Sequence, residues 1–395
     1  MTGPHPSAEG AASRRALSAY VHVPFCAVRC GYCDFNTYTA TELGGGGSQR
    51  EYPANAMAEM DLVARDDAAA GYAYDALDTV FFGGGTPTLL PAGDLVAMLA
   101  HLDSLVPLAP GAEVTTEANP DSVTRDSLRI LADGGITRVS FGMQSAVRSV
   151  LATLDRTHDP ERVPQAVAWA REAGLQVSLD LIYGTPGETL EDVGISVRAA
   201  LACEPDHVSA YSLIIEGNTA MARHLRRGEI AEPDPDDMAD KYELVDDLLG
   251  AAGFAWYEVS NWARGEELRC RHNLAYWRGA DWWGIGPGAH RHRDGLRAWN
   301  VKHPSRYAAR LAAGELPVQE SETLTDADRA LERILLGLRI ADGLPVEAVD
   351  PARRDAIAVH VERGHLDADA AAAGRLVLTR PGRLLADAVV RDLTP

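Results

Sequence analysis

Cys26, Cys30 and Cys33 bring three thiols onto one short stretch, CAVRCGYCDF at residues 26–35, out of five cysteines in the whole chain. Their spacing is C-x3-C-x2-C, with Phe35 standing where a fourth ligand could have followed. A closed structural zinc site takes four ligands, usually as two C-x2-C-like pairs, so three thiols leave it one short. Three thiolates on one loop suit three irons of a [4Fe–4S] cube, in which each iron takes one cysteine. The fourth iron then stays open, and an open metal position is where a ligand binds or chemistry occurs. The plainer alternative is free cysteines acting as small buried hydrophobes, which sits poorly beside Arg29, Gly31 and Asp34. A disulfide framework fails on the odd count and on context.

Short apolar runs that read as strands recur along the chain: AYVHVPF (19–25), DTVFFGGG (78–85), AEVTTEANP (112–120), RVSFGMQS (138–145), QVSLDLIYG (176–184) and HVSAYSLII (207–215). Between them lie helical-period segments such as GDLVAMLAHLDSL, DSLRILADGG and PERVPQAVAWAREAG, two of them ending in the glycine expected past a helix. About six strands alternating with helices imply right-handed parallel βα units. The class is therefore α/β, and a partial (β/α)6 barrel resembling a TIM barrel is favoured over a flat doubly wound sheet. The alternation stops near residue 300. Residues 301–395 are assigned to a small helical, winged-helix-like domain, with helices and one short hairpin from 322 onward, residues 17–300 to the barrel, and residues 1–16 to a flexible tail. GGGGS (44–48) reads as a loop insertion and EPDPDD (232–237) as an acidic turn leading into a helix.

In parallel barrels, ligands sit at the carboxyl ends of the strands. The first run leads directly into the cysteine loop. The second ends in GGGTPT, where Gly83, Gly84 and Gly85 let backbone approach a ligand and Thr86 adds a hydroxyl. The third ends at Glu117 and the fourth at Gln144, with Arg156 beyond it, while the fifth contains Asp180. Each residue alone is weak evidence. Their joint placement around one thiol-bearing loop makes a site.

Composition sets the outer bounds. At 395 residues, with 46% hydrophobic and 24% charged residues, the chain reads as a globular protein of two or three domains. A formal charge of −20 repels phosphate backbones, which argues against a nucleic-acid partner. No run approaches a membrane span, no signal-peptide core is present, and the cysteine usage suits a reducing compartment, so a cytoplasmic protein is expected.

These motifs together resemble the radical S-adenosylmethionine superfamily over nearly the whole chain. The resemblance implies a [4Fe–4S] cluster on Cys26, Cys30 and Cys33, whose open iron chelates S-adenosylmethionine, with an electron donor serving the cluster. By matching position it implies that Tyr20, Tyr32, Gly84, Gly85, Thr86, Glu117, Gln144, Arg156 and Asp180 line that cofactor's pocket. A zwitterionic amino acid does need an acidic and a basic partner, and ribose hydroxyls need acceptors. Within the superfamily, YVHVPFCAVRCGYCDF, FFGGGTPT and SLDLIYGTPGET resemble the oxygen-independent coproporphyrinogen III oxidase group. Its dehydrogenase branch carries a further cysteine where Phe35 stands here, and a longer N-terminal extension. Its heme chaperone branch, of the HemW type, is marked by H-N-x-x-Y-W, present as HNLAYW (272–277) and followed by GIGPGAH (284–290). A helix cap with aromatic packing is the plain alternative for CRHNLAYW. The resemblance implies heme, with His272 as axial ligand or close contact, Tyr276 and Trp277 as walls, and Cys270 as a thiolate alternative; Cys203 is expected to be buried and inert. It also implies a heme-acceptor protein, and radical decarboxylation of coproporphyrinogen III as the rival activity.

Overall fold

A computed structural model describes residues 16–40, 42–43 and 47–394. Most of the expected tail and part of the GGGGS loop lie outside those residues, while Ala16, counted with the tail, opens the first strand. Six parallel strands follow one another in chain order: β1 (Ala16–Val23), β2 (Ala76–Gly84), β3 (Leu108–Ala118), β4 (Arg138–Gln144), β5 (Gln176–Tyr183) and β6 (His207–Ser212). A doubly wound sheet would reverse its strand order midway. Here β1 through β6 are consecutive neighbours, so right-handed crossovers place the helices that connect them on one face. That face is the outside of a partial barrel, as the sequence suggests.

The helices Ala92–Leu105, Arg125–Asp133, Arg162–Glu172 and Leu190–Ala202 supply the outer layer. Leu95, Leu99, Leu128, Val163 and Val193 on them share one core with strand residues such as Val80, Val139 and Val177. Thr124 and Thr189 start two of these helices with reciprocal capping boxes. Asp234 in the acidic turn caps the helix Pro235–Ala251 by accepting from the amides of Asp236 and Asp237.

The sheet extends further than the sequence suggests. β7 (Ala255–Glu258) and β8 (Asn261–Ala263) add an antiparallel hairpin beyond β6. At the other end β9 (Asp281–Ile285) pairs in parallel with β1, and β10 (His290–Arg293), β11 (Leu296–Asn300) and β12 (Val318–Thr323) continue antiparallel from it. Twelve strands thus form one sheet, which does not stop at residue 300. The helix Pro304–Ala312 also belongs to this body, because Tyr307 donates its hydroxyl to the buried Glu59 at 2.6 Å. Beyond Thr323 come short helices with their own apolar centre around Leu338, Val349, Leu376 and Val389, and two two-residue strands, Leu344–Pro345 and Arg375–Leu376, that pair antiparallel across intervening helices in place of the expected hairpin.

One buried ion pair anchors the segment between β8 and β9. Arg138 at the start of β4 donates to Glu113 on β3 at 3.1 Å, to the Gln176 side chain and to the Leu268 carbonyl. Glu113 also accepts the amides of Arg271 and His272, which open the helix Arg271–Trp277. Removing one partner leaves an uncompensated buried charge, so Arg138→Ala is expected to cost about 3–5 kcal/mol in urea unfolding. Replacing both Glu113 and Arg138 by apolar residues of similar volume should cost less. Equal stability of Arg138→Ala and the parent would contradict the burial of this pair.

Candidate functional site

The barrel encloses a cavity of about 760 Å³ that runs from the carboxyl ends of its strands down to Arg138 and His207 at the starts of β4 and β6. β1 delivers the cysteine loop to its mouth, where Cys26 is held by its amide donating to Tyr38 O at 3.0 Å and Gly31 by its amide donating to Leu154 O. A Cβ at Gly31 would stand 2.4 Å from the Asp155 carboxylate, which would have to turn aside. Tyr32 packs among Val150, Leu154, Ile182 and Leu213, so the loop is pinned by apolar contact as well. Cys26, Cys30 and Cys33 all line the cavity. Burial, then the neighbouring Cys30, holds the Cys26 thiol above its ordinary value, and burial pushes Cys33 up to about 11. Among the described residues no three His, Cys, Asp or Glu side chains converge on a single metal ion. A cube does not ask for such convergence, because each thiolate meets a different iron.

The structure brings Tyr20, Tyr32, Gly84, Gly85, Thr86, Glu117, Gln144, Arg156 and Asp180 together on this one cavity. Glu117 accepts the Gly84 amide at 3.0 Å, and Asp180 accepts the Ser140 hydroxyl at 2.9 Å. Both carboxylates are half-buried, and among the described residues neither has an ion-pair partner. Burial, then the charge of Asp180, pushes Glu117 up to about 8, and burial pushes Asp180 up to about 6. Arg156 lies near Asp180, close enough to act on its charge, 3.6 Å from Cys30 Sγ, donating to Gly142 O at 2.7 Å and keeping a buried Nε without a partner. Two carboxylates and a guanidinium on one cavity fit a ligand carrying both an ammonium and a carboxylate.

Three details differ from the sequence-based expectation. The glycines of GGGTPT serve the protein's own packing: a Cβ on Gly84 would stand 2.4 Å from the His22 ring, and one on Gly85 2.5 Å from Phe25 O. Their amides are also engaged, Gly85 donating to Val23 O and Thr86 to Phe25 O. Trp277, expected as a wall for heme, is not part of this cavity's lining and packs on an apolar cluster with Tyr257, Leu274 and Ile340. Cys203, expected to be buried, is half-buried at the end of the helix Leu190–Ala202.

His272 and Tyr276 do line the cavity. Both nitrogens of His272 are occupied, Nδ1 by the Thr79 hydroxyl at 2.8 Å and Nε2 by the Tyr276 hydroxyl at 2.9 Å. Its ring stacks on Phe81 at 5.1 Å, and burial pushes it down to about 3. A neutral imidazole so engaged has no lone pair free for a metal until one bond breaks. Cys270 is equally enclosed, with its thiol donating to Glu113 and burial holding it far above its ordinary value.

Sequence reasoning missed Ser140, Gly142, Ser178 and Ser209 on the cavity wall. A Cβ on Gly142 would meet the Gln144 amide at 2.8 Å and Arg156 at 3.0 Å, so this glycine makes room for two site residues. Gln144 itself sits at φ 61°, a strained conformation for a non-glycine residue, where β4 and β5 slip register. The available signal was the period of two: Ser140, Gly142 and Gln144, or Ser178 and Asp180, share one strand face.

The chain matches the Radical SAM superfamily over residues 20–200. It is 51% identical to the "Heme chaperone HemW" of Mycobacterium tuberculosis H37Rv over 379 residues, covering 95% of this chain and 94% of that one. It is 34% identical to the protein of the same name from Bacillus subtilis, over 83% of this chain and 84% of that one. Among solved structures, coproporphyrinogen III oxidase (HemN) from Escherichia coli, described as a radical SAM enzyme, superposes with a TM-score of 0.80 at 22% identity. That alignment covers 96% of this chain and 90% of the other, and it supports the fold.

The half-buried carboxylates set a pH dependence. Folded Glu117 keeps its proton to about pH 8, whereas an ordinary glutamate loses it near 4.5. Between those values the folded state binds the extra proton, so stability falls as pH rises. Glu117→Gln keeps an acceptor for Gly84 and removes this contribution. Its urea midpoint should therefore fall less steeply than the parent's between pH 5 and 8, and parallel profiles would contradict the assignment.

Proposed function

The chain belongs to the HemW family of radical SAM proteins, and from that premise we propose that it binds heme and passes it to an acceptor protein. The observation that carries this conclusion is the 51% identity to a heme chaperone across nearly the whole of both chains. The rival, decarboxylation of coproporphyrinogen III, rests on a structural likeness at 22% identity, which speaks to fold alone. Phe35, exposed in the cysteine loop, stands where the dehydrogenase branch has its further cysteine.

Cys26, Cys30 and Cys33 would hold a [4Fe–4S] cluster, and their raised thiols must shed protons as it loads. Glu117 and Asp180 would take the ammonium and ribose hydroxyls of S-adenosylmethionine, and Arg156 its carboxylate. Bound together, cluster and cofactor supply one-electron chemistry, served by an electron donor. Tyr20, Tyr32 and Gln144 shape the surrounding wall. His272 and Tyr276 act as a fixed partition with their polar atoms already paired. The charge of −20 supports a partner other than nucleic acid. Among the described residues no helix is long and apolar enough to cross a membrane, in keeping with a place in the cytoplasm.

Anaerobic reconstitution should yield about four irons and four sulfides per chain, lost when the three cysteines are replaced by Ala. Zinc uptake without iron would contradict this. Asp180→Ala, removing charge-assisted bonds of roughly 1.5–3 kcal/mol, should weaken S-adenosylmethionine about 10- to 150-fold. Unchanged affinity in a folded variant would move the ligand elsewhere. The reconstituted protein should bind heme with a shifted Soret band and form no protoporphyrinogen from coproporphyrinogen III. Protoporphyrinogen formation under reductant and S-adenosylmethionine would restore the enzyme assignment.

A further inference from the structure

The GIGPGAH stretch takes no part in the cavity above. It turns the chain from β9 to β10 while lying flat on the end of β1 and the tail of the cysteine loop. Its glycines make that possible: a Cβ on Gly286 (φ +106°) would stand 2.4 Å from His22 O, and one on Gly288 (φ +77°) 2.7 Å from the Asn36 amide. Asn36 clamps the turn by donating to Pro287 O at 2.9 Å and to Lys302 O at 2.8 Å.

The turn closes a second, smaller pocket of about 320 Å³, bounded by Tyr20, Phe35, Tyr276, Trp282 and His290. Tyr20 and Tyr276 form the partition it shares with the cluster cavity. Phe35 is 59% exposed, a large apolar side chain at the rim left open by the described residues. Trp282 continues the aromatic surface and is held by its indole donating to His290 O at 2.8 Å.

Four imidazoles surround this partition, and three are fully engaged. His22 bonds Tyr20 and the Asn36 carbonyl, His272 bonds Thr79 and Tyr276, and His292 bonds the Ala280 carbonyl and the Gly295 amide. His290 differs. Among the described residues neither of its ring nitrogens has a hydrogen-bond partner, and its ring is steadied by stacking on Trp299 at 5.5 Å and 20°. Lys302 stands close enough to act electrostatically on it, is exposed, and has no ion pair among the described residues.

We propose that this pocket, outside the cluster cavity, presents the axial donor for heme: His290 binds the iron, Phe35 and Trp282 lie against the macrocycle, and Lys302 meets a propionate. The inference deepens the heme-binding function proposed above and rests on it. A free neutral imidazole is an axial ligand of ordinary kind. Aromatic faces suit a porphyrin, and a lone cation offsets a propionate on a strongly acidic surface. The pocket is too small to enclose a whole heme. Part of the macrocycle would therefore face outward, where an acceptor could take it.

Hemin titrated into the anaerobically reconstituted full chain, followed by absorption and resonance Raman spectra, tests this. His290→Ala should lose the imidazole-ligated signature and bind hemin at least about tenfold more weakly, and added imidazole should restore the spectrum. Its iron content and S-adenosylmethionine affinity should stay at the parent's level, because His290 touches neither site. A parent-like spectrum and affinity in His290→Ala would overturn the assignment, as would loss of the signature in His272→Ala alone. Absence of hemin binding in the parent would overturn this inference together with the function it rests on, whereas parent-like binding and spectrum in His290→Ala overturn this inference only.

Discussion

The carboxylate of Glu113 is the point from which the site's inner wall is built. It is buried between β3 and β4, a position that costs several kcal/mol for an ion left alone. Four groups answer it: the Arg138 guanidinium, the amides of Arg271 and His272, and the Cys270 thiol. A short helix of seven residues has little stability of its own. Its first amides bind the carboxylate, and its dipole is complemented by the same charge. The helix Arg271–Trp277 is thereby fixed inside the open side of the barrel. From there His272 reaches Thr79 and Tyr276 stands against Tyr20, so the partition between the two pockets stands on this one ion pair.

The partition divides two kinds of surface. On the cavity side stand thiols, two carboxylates and a guanidinium whose Nε is buried without a partner. On the other side are aromatic rings, a free imidazole and a lysine, partly exposed. The tail of the cysteine loop touches both. Phe35 belongs to the lining of each pocket, and Asn36 binds the loop that carries His290. A charged ligand chelated to a metal and a flat apolar macrocycle need opposite surroundings. This chain supplies them back to back.

Much of this was legible in the sequence because it is local or periodic. The cysteine loop is one motif, the six parallel strands are punctuated by glycine-ended helices, Glu117 and Gln144 fall at strand ends, and Asp180 lies within the fifth strand. What stayed hidden depends on partners far away in the chain. β9 pairs with β1 across some 260 residues, and β12 returns to the sheet after the alternation has ended. The glycines of GGGTPT read as room for a ligand, since sequence does not say that His22 and Phe25 fill the space. HNLAYW reads as a donor because an isolated histidine has two nitrogens to offer. Only the fold reveals that Thr79 and Tyr276 have claimed both.

The central claim is that one chain holds two adjoining ligand spaces, a cluster cavity and a heme pocket, with a fixed wall between them. Equilibrium binding of S-adenosylmethionine to the cluster-loaded protein, measured with and without one equivalent of bound hemin, addresses it most directly. Separate spaces predict that each ligand binds once per chain and that neither displaces the other. Mutual displacement would place both in one cavity and contradict the account.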